Sequence, residues 1–112
     1  MARCCVVLVT ASSRKEGEKI ARALVADKLA ACVNIVSPVA SIFSWKGRLC
    51  KEREALLVIK TRRALFPRLA ARVKALHSYE VPEIIALPIE AGWPEYLKWV
   101  AAESTSESAI RN

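Results

Sequence analysis

Residues 4 to 11 read Cys-Cys-Val-Val-Leu-Val-Thr-Ala. A continuous valine-rich run of this length falls far short of the roughly 20 residues that span a bilayer, and it reads as a central strand buried on both faces. Such a strand needs neighbours on either side and a packed layer above it, so the rest of the chain must supply both. Ser13-Arg14-Lys15-Glu16 fits a capping box, with Ser13 accepting from the Glu16 amide and the Glu16 carboxylate reaching back to the cap. The spacing predicts a helix from there to about Leu29, with Ile20, Ala21, Leu24 and Val25 on its inner face and Lys28 near its negative end. A second strand follows over 30–36 and resumes after Pro38 through Trp45, one long strand with a bulge. Lys46-Gly47 is a tight turn in which Gly47 supplies the positive φ.

The return strand runs from Arg48 to Lys60. Near Thr61 a second helix begins, with Pro67 in its first turn and Leu65, Leu69, Val73 and Leu76 recurring at helical spacing. That helix must stop before Pro82, which pushes the preceding residue out of the helical region. A strand over 83–89 and a helix from Pro94, with Leu97, Val100 and Ala101 turned inward, complete the pattern. The tail over 104–112 is expected to fray. The order β-α-β-β-α-β plus a C-terminal helix is an α+β, split-βαβ sandwich, and its 112 residues form one domain over 1–112. Two helices cover one sheet face. The other face is too apolar for water, and a second copy of the chain is its simplest cover.

The net charge of +7 raises the question of a nucleic-acid partner. The basic residues are spread along the chain, without an aromatic-interleaved strand, a Gly-rich loop or zinc-finger spacing, so solvated faces account for them. Arg62, Arg63, Arg68, Arg72 and Lys74 form the densest group and keep that alternative open. Cys4, Cys5, Cys32 and Cys50 have neither zinc nor disulfide spacing; the first three sit in apolar runs as buried thiols, and Cys50 lies among charges. No membrane span is expected. The N-terminus lacks a signal-peptide pattern, so a cytoplasmic protein is the default, and a chain trimmed of a transit peptide would read the same.

Chemistry concentrates in Leu76-His77-Ser78-Tyr79-Glu80-Val81-Pro82-Glu83, which holds the only histidine and delivers the chain into a strand. His77 can ligate a metal or relay a proton, or simply be a hydrogen-bonded loop residue at a subunit boundary. Tyr79 and Trp45 can stack on a planar ligand or fill an interface. Lys60 and Glu83, each at a strand end, can pair with one another, or Lys60 can grip an anion. There is no Ser/His/Asp set, phosphate-cradling loop or paired-carboxylate site, which argues against an enzyme.

Several separated segments are familiar together: Lys28-Leu29-Ala30-Ala31-Cys32-Val33-Asn34, Trp45-Lys46-Gly47, Ile59-Lys60-Thr61, His77-x-Tyr79-x-x-Pro82-Glu83 and Tyr96-Leu97-x-Trp99. In this order, from about Val6 to Glu103, the chain resembles the CutA family of divalent-cation tolerance proteins. The resemblance implies a ferredoxin-like subunit in a homotrimer, its sheets packed edge-to-edge about the threefold axis, and a role in tolerance of copper and other divalent metals. Some members are described as copper-binding, and mammalian members are associated with acetylcholinesterase assembly at membranes. It also implies a likeness to the trimeric PII signalling proteins, which hold small effectors between subunits. It implies no enzymatic activity.

The chain departs from the bacterial copper site associated with the family, a strand cysteine and two adjacent histidines. Val9 stands at the cysteine position, Leu76-His77 at the histidine pair, and Ser78 where a proline usually follows. The expectation is therefore weak binding of Cu(II) or another divalent cation, unnecessary for folding, with His77, Cys32 and Glu83 as candidate ligands. A cleft between subunits that gathers Trp45, Lys60, His77, Tyr79 and Glu83 would suit a small polar or anionic ligand, best below about pH 6.5, where a protonated ring adds to the Lys60 charge. A metal-tolerance protein is the leading reading. A PII-like small-molecule sensor and a structural interaction module are the alternatives.

Overall fold

The computed structural model describes residues 3–106. In it β1 (Cys4–Ala11), α1 (Arg14–Ala26), β2 (Cys32–Trp45), β3 (Arg48–Arg62), α2 (Phe66–Leu76), β4 (Ile84–Pro88) and α3 (Pro94–Glu103) follow one another, with a short 3-10 turn at Arg63–Leu65 leading into α2. The four strands form one antiparallel sheet in the order β2-β3-β1-β4. The βαβ unit is split because β3 inserts between β1 and β2, as the element order requires.

Alternation along the strands sorts the sheet into two faces. Val7, Val9, Leu57 and Ile59 are fully buried against Ile20 and Leu24 of α1 and Leu69 and Val73 of α2. The opposite face carries Val6, Leu8, Leu56 and Val58, only half-buried, and Val36, Ile85 and Leu87, which are 48%, 48% and 46% exposed. α3 covers this second face at one end, where Val100 packs on Cys4 and Ala31 with Leu97 and Ile89 beside them. The remainder is open in a single chain.

Several boundaries differ from expectation, among them the ends of β3 at Arg62 and of β4 at Ile84 and Pro88. α1 ends at Ala26, three residues early, because Lys28 turns into the left-handed region at φ 60°. The Leu29 amide then donates to the Leu24 carbonyl and the Lys28 amide to Val25, which closes the helix as a Schellman motif. Val25 is consequently 40% exposed rather than inward, while Leu29 and Ala30 are buried in the turn and β2 starts only at Cys32. α2 starts at Phe66, after the 3-10 turn, with Pro67 in its first turn as expected. The start of the tail is docked, not frayed: Ser104 and Ser106 are buried, and the Arg62 Nε donates to the Ser104 carbonyl at 2.6 Å. The rest of the expected frayed tail, and the first two residues used to judge the N-terminus, lie outside the described residues.

The long hairpin follows expectation closely. Pairing runs from Cys32–Lys60 to Val36–Leu56, slips between Val36 and Val39, and resumes from Val39–Glu54 to Trp45–Arg48. Pro38, which cannot donate to a ladder, sits in that slip. Lys46 and Gly47 both have positive φ, 50° and 76°, as a two-residue type I′ turn requires.

Candidate functional site

The polar segment after α2 is a junction between four elements. α2 stops at Leu76, and His77 turns to an extended conformation. Its Nε2 lies 2.7 Å from the Thr10 carbonyl at the end of β1, and its Nδ1 accepts from the Tyr79 amide at 3.0 Å. A carbonyl on one side and an amide N–H on the other assign the Nε2–H tautomer, and both ring nitrogens are thereby engaged. The ring also stacks obliquely on Tyr79, centroids 4.7 Å apart. Tyr79 Oη in turn donates to Glu54 Oε2 at 2.6 Å, and Glu54 is buried on β3 beside the bulge. Burial first, and then the adjacent Glu54 carboxylate, push the Tyr79 phenol well above its ordinary range.

Glu16 locks this junction from the α1 side. Its amide donates to Ser13 Oγ, as the capping box predicts, but its carboxylate reaches one residue further back than expected. Oε1 accepts from the Ser12 amide at 2.8 Å and from Ser12 Oγ at 2.9 Å, and Oε2 accepts from the Ser78 amide at 2.8 Å. Burial alone would raise this carboxyl; the Ser12 and Ser78 hydrogen bonds outweigh it and hold the group at about 2. A proline at position 78 has no N–H to offer, so the serine adds a bond that proline cannot make. Lys74 secures the same loop, donating to the Glu80 carbonyl at 2.7 Å.

At the other end of the sheet, Lys60 faces Cys32 on β2 and Val6 on β1. Its Nζ donates to Asn34 Oδ1 and to the Val58 carbonyl. The Cys32 thiol shares the Asn34 oxygen, and burial, followed by the nearby Cys32, raises the phenol of Tyr96. Burial likewise raises the thiols of Cys4 and Cys5. Cys32 and Cys50 are both half-buried, so Cys32 is more open than its apolar run implied.

Of the five residues expected to share a cleft, one subunit brings together only His77 and Tyr79. Lys60 pairs with Val6 whereas Thr10, which holds His77, pairs with Leu56, a separation of four residues or about 13 Å along the strand. Trp45 sits at the hairpin tip with Lys46 Nζ 6.0 Å from its ring. Glu83 is exposed just before β4, whose first residue faces Val9, so it does not meet Lys60. The proposed ligand trio fares no better. His77 has no ring nitrogen to spare, Cys32 and Glu83 are on separate elements, and among the described residues no three His, Cys, Asp or Glu side chains gather as a metal site. The residues present do not fit a metal within one subunit.

The densest basic group is largely engaged with the chain itself. Arg62 is bonded to Ser104, Arg72 pairs with Asp27 at 3.2 Å, and Lys74 holds the 79–80 loop. Two surface hollows of about 850 and 620 Å³, one between the C-terminus of α1 and α2 and one between α2 and β4, are lined in part by Arg68 and Arg72 and by Arg63 of this group, and contain none of the candidate metal or cleft residues. Neither Glu16 nor Glu54 stands among the residues expected from sequence. Glu16 has a signal, its place in the capping box; Glu54, in the charged run Lys51-Glu52-Arg53-Glu54, has none.

Known proteins share this fold. Residues 5–103 match the family profile of the CutA1 divalent ion tolerance protein. A divalent-cation tolerance protein CutA from Thermus thermophilus is 53% identical over 95 residues, 85% of this chain and 92% of that one. The chloroplastic CutA of Arabidopsis thaliana is 48% identical over 95 residues, again 85% of this chain but 52% of its own length. More broadly, the chain spans between 52% and 61% of the plant and vertebrate relatives that it matches. Among solved structures, the PII-like protein CutA from Nostoc superposes with a TM-score of 0.85 at 38% identity, covering 91% of this chain and 98% of that one. No helix among the described residues is long and apolar enough to cross a membrane. With residues 5–103 matched by the family profile and a relative 53% identical over 85% of this chain, the chain belongs to the CutA1 divalent ion tolerance family.

Proposed function

We propose that this chain serves divalent-cation tolerance as a homotrimeric binding protein without catalysis of its own, and that it takes Cu(II) or another divalent cation weakly. The observation that carries the weak binding is the state of the positions where family ligands are expected. Val9 is fully buried hydrocarbon, Leu76 is hydrocarbon, and His77 commits both ring nitrogens to main-chain groups. A metal ligand needs a free lone pair, so binding at His77 would have to break the Tyr79 contact first. Titration calorimetry of chelator-stripped protein with Cu(II) and Zn(II) tests this. Affinity should be micromolar or weaker; nanomolar binding at one metal per subunit would overturn the reading, and its persistence in His77→Ala would place the site elsewhere.

The trimer is supported by the uncovered apolar sheet face. Four free cysteines favour a reducing compartment, the cytoplasm by default. A second reading, a small-molecule sensor, is favoured by the likeness to a protein described as PII-like. Trp45, Lys60, His77, Tyr79 and Glu83 would then meet only across subunit boundaries. A metabolite thermal-shift screen separates this reading from a purely structural interaction module.

A further inference from the structure

Two charged side chains on the uncovered sheet face have no counter-ion among the described residues of their own chain. Glu54 is 7% exposed, and among the described residues its carboxylate is bonded to Tyr79 Oη alone. Lys60 is half-buried, and its ammonium is bonded to the neutral oxygens of Asn34 and Val58. The ion pairs among the described residues, Arg14–Glu18, Lys28–Glu103 and Arg72–Asp27, involve neither. Leaving a desolvated charge unpaired is expensive, and burial in an assembly makes it more so.

The two groups cannot satisfy one another within a subunit. They lie six residues apart on β3, on the same face, which is about 20 Å along a strand. Between them that face carries Leu56 and Val58, with Val36 and Asn34 directly across on β2. The face is therefore negative at one end, mainly apolar in the middle and positive at the other. A second copy of the same chain complements it: every subunit carries both charges, so one contact repeated around a closed ring neutralises all of them without any further molecule.

We propose that Lys60 of one subunit pairs with Glu54 of the next, across the apolar strip of the sheet face, so that each Glu54–Tyr79 pair is completed by a neighbour's ammonium. The proposal rests on the homotrimer reading and adds its contact register. Glu83 is the competing carboxylate, but it is exposed and water already solvates it, whereas Glu54 is buried and requires a partner.

A double-mutant cycle tests the register. Denaturant-driven trimer dissociation is followed by sedimentation velocity for the wild type, Glu54→Gln, Lys60→Met and the double variant, with circular dichroism confirming the fold of each. Sites more than about 10 Å apart with no shared partner act additively, so coupling between two residues about 20 Å apart in one chain reports contact between chains. Each single variant should weaken the trimer, and the double should be less damaging than the product of the singles by about tenfold or more. In a second arm, the charge swap Glu54→Lys with Lys60→Glu should recover trimer that each reversal alone loses. Purely additive effects in the neutral cycle overturn the proposal, even where the buried reversal at Glu54 fails to fold. The same cycle with Glu83→Gln in place of Glu54→Gln should show no coupling; coupling there instead also overturns it. A wild-type protein that is monomeric throughout overturns the trimer reading itself, a different failure from a trimer with additive variants.

Discussion

Glu16 ties three segments together with one side chain. It caps its own helix through its amide, holds Ser12 ahead of the helix, and anchors Ser78 on the far loop. Its carboxyl is lowered from an ordinary 4.5 to about 2, so its hydrogen bonds favour the ionised form. The sign of the pH dependence follows. A folded-state value below the unfolded one adds stability that is fully present above about pH 4.5 and is lost as pH falls through about 2. Glu16→Gln should cost about 1–2 kcal/mol at pH 7, in line with hydrogen bonds to a charged acceptor. The gap between wild type and variant should narrow steadily from pH 4.5 towards 2, measured by urea unfolding at fixed protein concentration. His77 belongs to the same lesson. A lone histidine in a polar loop invites a functional reading, yet here it is a strut between β1 and the loop, which only the positions of Thr10 and Tyr79 reveal.

Among the elements, α1 ends where backbone geometry, not hydrophobic periodicity, stops it. The apolar spacing continues to Leu29, but Lys28 adopts φ 60°, a conformation that costs a side-chain-bearing residue about 1–2 kcal/mol and suits glycine. Lys28→Gly should therefore raise stability by about 0.5 kcal/mol, after allowing for glycine's greater unfolded entropy and for loss of the exposed ion pair to Glu103. A higher urea midpoint with an unchanged slope checks it; an unchanged or lower midpoint would mean the ion pair is worth more than exposed pairs usually are. The hairpin shows the opposite case, in which local chemistry and geometry agree. Pro38 marks the slip in pairing, and the slip sets Val39 of β2 opposite Glu54.

At the scale of the whole molecule, the sheet is finished on one face and unfinished on the other. Val36, Ile85 and Leu87 are about half-exposed in one chain, an arrangement that water tolerates poorly in a contiguous patch. Sedimentation equilibrium at micromolar concentration should show a trimer with no folded monomer, and a stable folded monomer would defeat the assembly. By itself the sequence determined the order of elements, the Ser13 cap, the Pro38 slip, the Lys46-Gly47 turn and the family, because each depends on local periodicity, on residues with narrow backbone preferences or on short motifs read in order. Only the tertiary structure decided what the polar residues do. Periodicity placed His77, Lys60 and Glu83 at the ends of elements, but strand register set Lys60 and Thr10 four residues apart and left Glu83 facing solvent. Glu54 looks like any other member of a charged run until the fold of the α2–β4 loop sets Tyr79 over it. Hydrogen-bond partners between residues distant in the chain, such as Glu16 and Ser78 or His77 and Thr10, follow from packing two layers together, and no local pattern encodes them.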